Sequence, residues 1–591
     1  MQEDKQLIDC EVAWVIRAAS IFNFNKSHPV FDPGMRYIKI YWGIVMLMIF
    51  LSCSKQNQPA PSPPGTNPPA SFSYNSLKVN GLYNGFNYNN VNVKPVIKIS
   101  FNAPVNHTSV TNSVSLKTKA GVVTTYNATY ENNDSTIVIS PTSLQPITQY
   151  ALAVSTALQS SKNGSLQSAI DVQLTTAIDS TNKFPVISDD QLLDLVEKQT
   201  LKYFWDFAHP TSGLARERNT SGDVVTTGGS GFGIMAIVAG INRNFITRAD
   251  GLARIQKMVS FLKNTAQSFH GAFPHWMNGA TGAVVPFSAQ DDGADLVETA
   301  YLMQGLLTAR QYFNGAATGE ANLRTDINTL WNNVEWDWFR QNNQNTLFWH
   351  WSPNYAWSTN MQVNGWDEAL ITYVLGASST THAIPKIVYD NGWALNGAIK
   401  NGNTYYGVKL PLGPAQGGPL FFAQYSFLGI DPNGLADAYA SYDVQNKAHT
   451  MINYNYCIAN PKTYNGYSAD CWGLTASDIQ DGYTASSPTN DMGVIAPTAA
   501  IASLPYTPAQ SMQALKFFYY KLGDKTWGQY GFYDAFNLTN VWFADSYLAI
   551  DEGPIIVMTE NYRSGLLWNL FMSCPEIKTG MKTLGFTSPK L

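Results

Sequence analysis

Residues 288–307 read SAQDDGADLVETAYLMQGLL, and the spacing within this stretch predicts the kind of fold. Asp291, Asp295, Glu298 and Leu302 follow one another at intervals of four, three and four. That places them on one face of a helix, or of the turn leading into it. Leu296, Val297, Ala300, Met303, Leu306 and Leu307 make the rest of the helix apolar almost all round. Such a helix belongs in an interior. Carboxylates on it cannot rely on bulk water, so they line a wet cleft or find partners. Clustered in a cleft they push one another's pKa values apart, as acid–base chemistry requires. The helix dipole offers a plainer account, because acids favour a first turn. It suits Asp291 and Asp292 well, Asp295 in part and Glu298 poorly.

Outward from this stretch, helical periodicity runs from about residue 187 onward. Apolar residues recur at three- and four-residue spacing over 191–207, 233–241, 252–269, 292–313, 323–339, 368–375, 435–454, 496–504, 509–520 and 554–572. About ten to twelve helices joined by long aromatic-rich loops predict an α/α toroid, with inner helices around a central cleft. Two further acidic positions fall on this pattern. Glu368 precedes an apolar helix beside Trp366 and Asp367, downstream of LFWHWSPNYAW with its Trp349, Trp351 and Trp357. A carboxylate among stacking aromatics suits a sugar subsite, and a helix cap is the plainer alternative. Asp551 and Glu552 precede Gly553 and Pro554, where a turn is expected. Glu560 and Arg563 stand three apart and could pair on one helix.

Toward the N-terminus the pattern changes. Residues 72–180 carry short alternating runs such as VIKISF (96–101), TIVI (136–139) and QYALAV (149–154) between turn residues, the signature of an all-β sandwich. Residues 54–71, rich in Pro and Ser, form a solvated tether. Before them, Arg36 and Lys39 precede a short apolar run, 41–51, that ends in Leu51-Ser52-Cys53. This resembles a bacterial lipoprotein signal. It implies a true start at Met35, a lipidated Cys53 and an exported protein anchored to a bacterial membrane, with residues 1–53 excluded from the fold. Of the remaining cysteines, Cys457 and Cys471 could bridge, which spacing alone leaves open.

Charged residues make up 13% of the 591-residue chain and the formal net charge is -5, with no basic stripe for nucleic acid. No zinc-ligand motif stands out, so no metal and no cofactor are expected, and the chain is expected to act as a monomer. Sixteen Trp and 31 Tyr supply flat faces that suit sugar rings as well as cores.

Five longer motifs carry a resemblance: GPLFFAQYSFLGID (418–431), SADCWGLTASD (468–478), GVIAPTAAIASLPYTP (493–508), YGFYDAFN (530–537) and IDEGPIIVMTENYRSGLLW (550–568). In this order they resemble the glycoamylase-like family, which includes glycoside hydrolase family 144, the bacterial β-1,2-glucanases. The resemblance spans 187–580. The stretch from KISFNAPVNHTSV to the closing LTTA is similar to bacterial Ig-like domains, which often act as spacers. The family resemblance implies an (α/α)6 barrel and hydrolysis of β-glucan, with endo cleavage of β-1,2-glucan and inversion of the anomeric centre. It implies Glu368 as proton donor and Asp551 as base, with Asp295 and Glu298 near the cleavage point. Asp291, Arg216, His275, Trp276, Trp351, Trp366, Trp472, Asp478 and Glu552 are the implied substrate-binding positions. The alternatives are a lipid-anchored glycan-binding protein without catalysis, and a glucosidase or lyase acting on another polysaccharide.

Overall fold

The computed structural model describes residues 71–591. The leader, Cys53 and the tether up to residue 70 lie outside the described residues. Among the described residues, 71–145 with 149–174 form one compact unit, and 146–148 with 175–591 form another.

The first unit is a sandwich of two four-stranded sheets. Strands β1 (Tyr74–Val79), β3 (Ile97–Phe101), β6 (Thr136–Pro141) and β5 (Tyr126–Glu131) make one sheet in that order. Strands β2 (Asn87–Val91), β8 (Ile170–Thr176), β7 (Gln149–Val154) and β4 (Val114–Thr118) make the other. Alternation sets the faces: in β7 Tyr150, Leu152 and Val154 are buried and the residues between them are not. Leu77, Ile99, Ile137 and Leu152 meet in its core. A short helix, α1 (His107–Ser113), precedes β4.

The second unit is mainly helical, and half-buried helices alternate with fully buried ones. Helix α2 (Asp189–Trp205) is amphipathic and opens on a capping box between Ser188 and Gln191. Helix α3 (Thr227–Asn242) is buried from Thr227 to Ile241. The pattern repeats with α4 (Arg248–Asn264), half-buried, and α5 (Leu296–Tyr312), buried from Leu296 to Ala309. It repeats again with α6 (Thr318–Asn332), half-buried, and α7 (Leu370–Ser378), wholly buried. Buried 3-10 turns at 420–428 come next, then half-buried α8 (Tyr442–Ala459), buried α9 (Pro497–Ile501) and half-buried α10 (Pro508–Tyr520). Helix α11 (Ala549–Ser564) is almost wholly buried, and α12 (Leu566–Met572) and α13 (Pro575–Leu584) close the chain.

Helix α3 lies against α5 through glycines. A Cβ on Gly305 would stand 2.2 Å from the carbonyl oxygen of Gly231, and one on Gly231 would stand 2.2 Å from that of Tyr301. The two backbones therefore approach more closely than any side chain would allow.

Local differences from the sequence expectation have local causes. The stretch 554–572 is two helices, broken at Gly565, which takes φ 68°. Asp551 sits in the first turn of α11 rather than in a loop, with Pro554 tolerated early in the helix. Glu560 and Arg563 do not pair with each other. Glu560 takes Arg243 Nε at 2.5 Å, while Arg563 reaches Asp194 and Glu197 on α2. Cys457 and Cys471 are buried free thiols.

Candidate active site

Four buried helices, α3, α5, α7 and α11, begin around one group of carboxylates. Their first-turn amides and positive dipole ends favour anions there. Glu298, in the first turn of α5, accepts the Gly228 N–H of α3 at 2.8 Å and faces the Thr226 hydroxyl at 3.5 Å. A Cβ on Gly228 would lie 2.5 Å from that carboxylate oxygen, so glycine is what admits the carboxylate. Beside it stand three aromatic rings, Phe232, Tyr301 and Tyr425, with centroids 5.2–5.8 Å apart.

The two tyrosine hydroxyls report where the charges lie. Tyr425 is pushed well above its ordinary value by burial, then by Asp551, Tyr483, Glu368 and Glu298. Tyr301 is pushed up by burial, then by Glu368 and Glu298. One hydroxyl thus feels carboxylates from α5, α11 and the entry to α7. Glu368 is 3% exposed. Its neighbour Asp367 closes the turn that leads into α7, accepting the Ala369 N–H at 2.8 Å. The hydroxyls of Tyr301 and Ser426 donate to the Glu368 carbonyl and fix its backbone.

Histidines knit the second half of the cluster. Asp295 is the N-cap of α5, its Oδ1 accepting from Val297 and Glu298 at 3.0 and 2.9 Å. Its Oδ2 takes His275 Nδ1 at 2.9 Å and Trp349 Nε1 at 3.3 Å. Burial alone would raise the Asp295 carboxyl, but the His275 hydrogen bond and the His350 charge hold it below the ordinary range. Burial would lower His275, yet Glu298 and then Asp295 push it up to about 9. His350 pairs with Asp291 at 3.2 Å and is likewise pushed up, mainly by Asp291 against the cost of burial. Asp291 and Asp292 are therefore not first-turn acids. Asp292 instead holds the 352–354 loop through Ser352 and Asn354.

On the opposite side a row of acids runs inward. Arg218 binds Glu217 at 3.0 Å and Asp478 at 3.2 Å, and the Ser546 hydroxyl donates to Asp478 at 2.6 Å. The Asp478 N–H donates to Asp534 at 2.6 Å. Asp534 and Asp551 then face each other, and the buried oxygens Oδ1 of Asp534 and Oδ2 of Asp551 lack a donor. Two buried carboxyls so placed cannot both ionise cheaply. Accordingly Asp551 is pushed well up by burial and then by Asp534, and Asp534 is pushed up to about 7 by burial and then by Asp478. The two titrate as a pair.

Several expected positions fall elsewhere. Trp472 is fully buried in the core, its ring edge-on to Tyr454, so no sugar can stack on it. Trp366 is also buried, packed near Trp393 and Phe427 with Nε1 bonded to His449. The Glu552 carboxyl is buried and pushed well up by burial and then by Asp534, facing Thr200 of α2. Arg216 lies over the Phe207 ring at 4.9 Å, and it is Arg218 of the same GLARERN segment that joins the acids. Trp276 and Trp351 remain half-buried. Trp276 stands edge-on to His275 and Phe287, and Trp351 edge-on to Trp338.

The sequence reading passed over Asp534, Arg218, His350, Tyr301 and Tyr425. Four of them lie inside stretches it quoted, and for Asp534 and His350 a polar residue amid an aromatic run was the available signal.

His275, Asp291 and Asp295 bring ligand atoms within 4.8 Å of one another, a spacing that a cation could use. A ligating imidazole must first lose its proton, and Glu298 and Asp295 push the pKa of that proton up to about 9.

The glycoamylase family model matches residues 360–575, and a bacterial Ig-like domain model matches residues 77–176. A curated relative from Parabacteroides distasonis, an exo β-1,2-glucooligosaccharide sophorohydrolase (non-reducing end), is 46% identical over 443 residues. These are 70% of this chain and 61% of that protein, so the chain spans about three fifths of that relative's length. The solved endo-β-1,2-glucanase of Chitinophaga pinensis, in complex with sophorotriose and glucose, is 52% identical. That match covers 69% of this chain and 100% of that one, with a TM-score of 0.67. The solved β-1,2-glucanase of Parabacteroides distasonis is 39% identical over 88% of this chain and 74% of that one, with a TM-score of 0.66.

Proposed function

Because this chain belongs to the glycoamylase-like family, we propose that it is a glycoside hydrolase that cleaves β-1,2-glucan within the chain and inverts the anomeric centre. The observation that carries the reading is three buried carboxylates, Glu298 and Asp551 in the first turns of α5 and α11 and Glu368 just before α7, all of which push up the Tyr425 hydroxyl. Burying carboxylates from three separate elements is costly unless the chemistry uses them. The alternation of half-buried and buried helices supports an (α/α)6 barrel, with α3, α5, α7, 420–428, α9 and α11 as the inner ring.

In this reading Glu368 protonates the leaving oxygen. The Asp551–Asp534 pair, which holds one proton between two carboxyls, accepts the proton of the attacking water. Inversion places a water between acid and base, with the carboxyls about 6.5–9.5 Å apart. Glu298 and the His275–Asp295 pair hold sugar hydroxyls beside the cleavage point, and Trp276 and Trp351 offer half-buried faces for sugar rings. The Leu51-Ser52-Cys53 signal supports export and lipid anchoring.

The test is product analysis after incubation with linear β-1,2-glucan. A ladder of short β-1,2-linked oligosaccharides is expected, together with at least a thousandfold loss of rate for Glu368→Gln, which removes the acid. A variant with near wild-type rate would sink the assignment of Glu368. Release of sophorose alone would favour a second reading, the exo action named for the 46%-identical relative.

A further inference from the structure

The Ig-like unit carries one surface that its sandwich does not explain. Residues 79–93 read VNGLYNGFNYNNVNV: six Asn, three aromatics and no charge, flanked by Lys78 and Lys94. In this loop and the strand after it, Leu82, Tyr83 and Phe86 are 72%, 65% and 39% exposed. An exposed aromatic loses solvation benefit with no packing in return, so a cluster of them marks a contact surface.

The loop is held in shape from beneath. Asn84 N–H donates to the buried Tyr88 hydroxyl at 3.1 Å, and Asn84 Nδ2 donates to the Asn87 carbonyl at 3.1 Å. Gln173 N–H takes the Phe86 carbonyl at 2.7 Å, and Asn80 Oδ1 takes the Val96 N–H at 2.9 Å. Tyr74 packs on Phe86 with ring centroids 5.7 Å apart. Asn84, Asn87, Asn89 and Asn90 are exposed around the rings. The loop backbone and the Phe86 ring are thus held before any ligand arrives, which lowers the entropy cost of binding.

We propose that this patch is a second glycan-binding site, where Tyr83 and Phe86 stack on sugar rings and the asparagine amides bond their hydroxyls. The chemistry selects the occupant. Between the exposed Lys78 and Lys94 the rings and amides carry no charge, and an uncharged polyhydroxylated chain matches both. The β-glucan polymer proposed as substrate is that chain, and this inference rests on that reading. Binding there holds a long chain at the enzyme and raises its local concentration, whichever segment enters the cleft.

The test uses the full chain, with Tyr83→Ala and Tyr83→Ala/Phe86→Ala. On polymeric β-1,2-glucan KM is expected to rise on the order of tenfold for the double variant, with kcat unchanged. On a short β-1,2-linked oligosaccharide both constants should match wild type. Retardation in gels containing the polymer should weaken in the same variants. Tyr83→Ala alone, at the more exposed side chain, guards against a folding defect. Unchanged polymer KM and gel retardation would overturn the proposal. So would a shift in oligomeric state by sedimentation, since the patch would then face a second copy. If wild type cleaved no glucan, the reading of the cleft would fail, while gel retardation would still decide whether the patch binds glycan.

Discussion

His275 shows how the site holds its charge. Its folded-state pKa of about 9 stands above the ordinary 6.5 because Glu298 and Asp295 outweigh the cost of burying it. A raised folded pKa means that the folded state binds the proton more tightly than the unfolded one. The resulting stability is fully present below pH 6.5 and is lost as the pH climbs through 9. The shift corresponds to about 3 kcal/mol, and His350, also pushed up, adds in the same direction. Wild-type melting temperature should therefore fall between pH 6.5 and 9.5, and the fall should shrink in His275→Asn. Identical slopes in melts of the two proteins would show that His275 is not protonated in the folded state. The same reasoning explains why Asp295 can be buried and ionised at once: its charge is answered by two histidines and by two amides of α5.

At the scale of elements, the meeting of helix N-termini depends on how closely α3 and α5 lie. Gly231 and Gly305 permit that approach, and each added Cβ would collide with the other helix's backbone rather than with a movable side chain. Glu298 can accept the Gly228 amide only while the two helices stay at this distance. Gly305→Ala should therefore destabilise the helical unit by about 3 kcal/mol, the upper end for overpacking. It should also lower activity, because α3 and α5 must move apart. A melt within a degree of wild type, with full activity, would mean that the helices separate at no cost. The short α7 makes a related point: the turn before it is closed by Asp367, which accepts the Ala369 N–H, and the Glu368 carbonyl is held by Tyr301 and Ser426.

For the whole molecule, each unit has its own interior. The sandwich core is built from residues 72–174, and the helical cores take residues 147 and 192–586. Leu152, fully buried in the sandwich, can therefore be truncated as a test of independence. Leu152→Ala should cost the sandwich about 2–5 kcal/mol and lower one calorimetric transition. The other transition, and the rate on a short oligosaccharide, should stay as in wild type. Loss of both transitions together would show that the units fold as one.

The sequence by itself determined the class of each unit. Two-residue alternation in 96–101 and 149–154 and the all-round apolarity of 296–307 are consequences of burial, which acts on each residue type wherever it lies. Asp295 and Glu298 stand out because an acid on an apolar helix needs partners or a wet cleft, whereas Glu368 and Asp551 are singled out as acid and base by the family resemblance. What only the tertiary structure decided is which groups meet. Asp534 and Asp551 come together from positions 17 apart in sequence, each pushing the other's pKa. His275 and His350 reach Asp295 and Asp291 from different loops, and Arg218 rather than Arg216 joins Asp478. Trp472 and Trp366 look in sequence like the tryptophans near the cleft, yet they pack inward. A ring's composition is the same in a core and in a sugar site, and only the direction of its side chain distinguishes them. That direction follows from the packing of helices far apart in the chain, which no local pattern encodes.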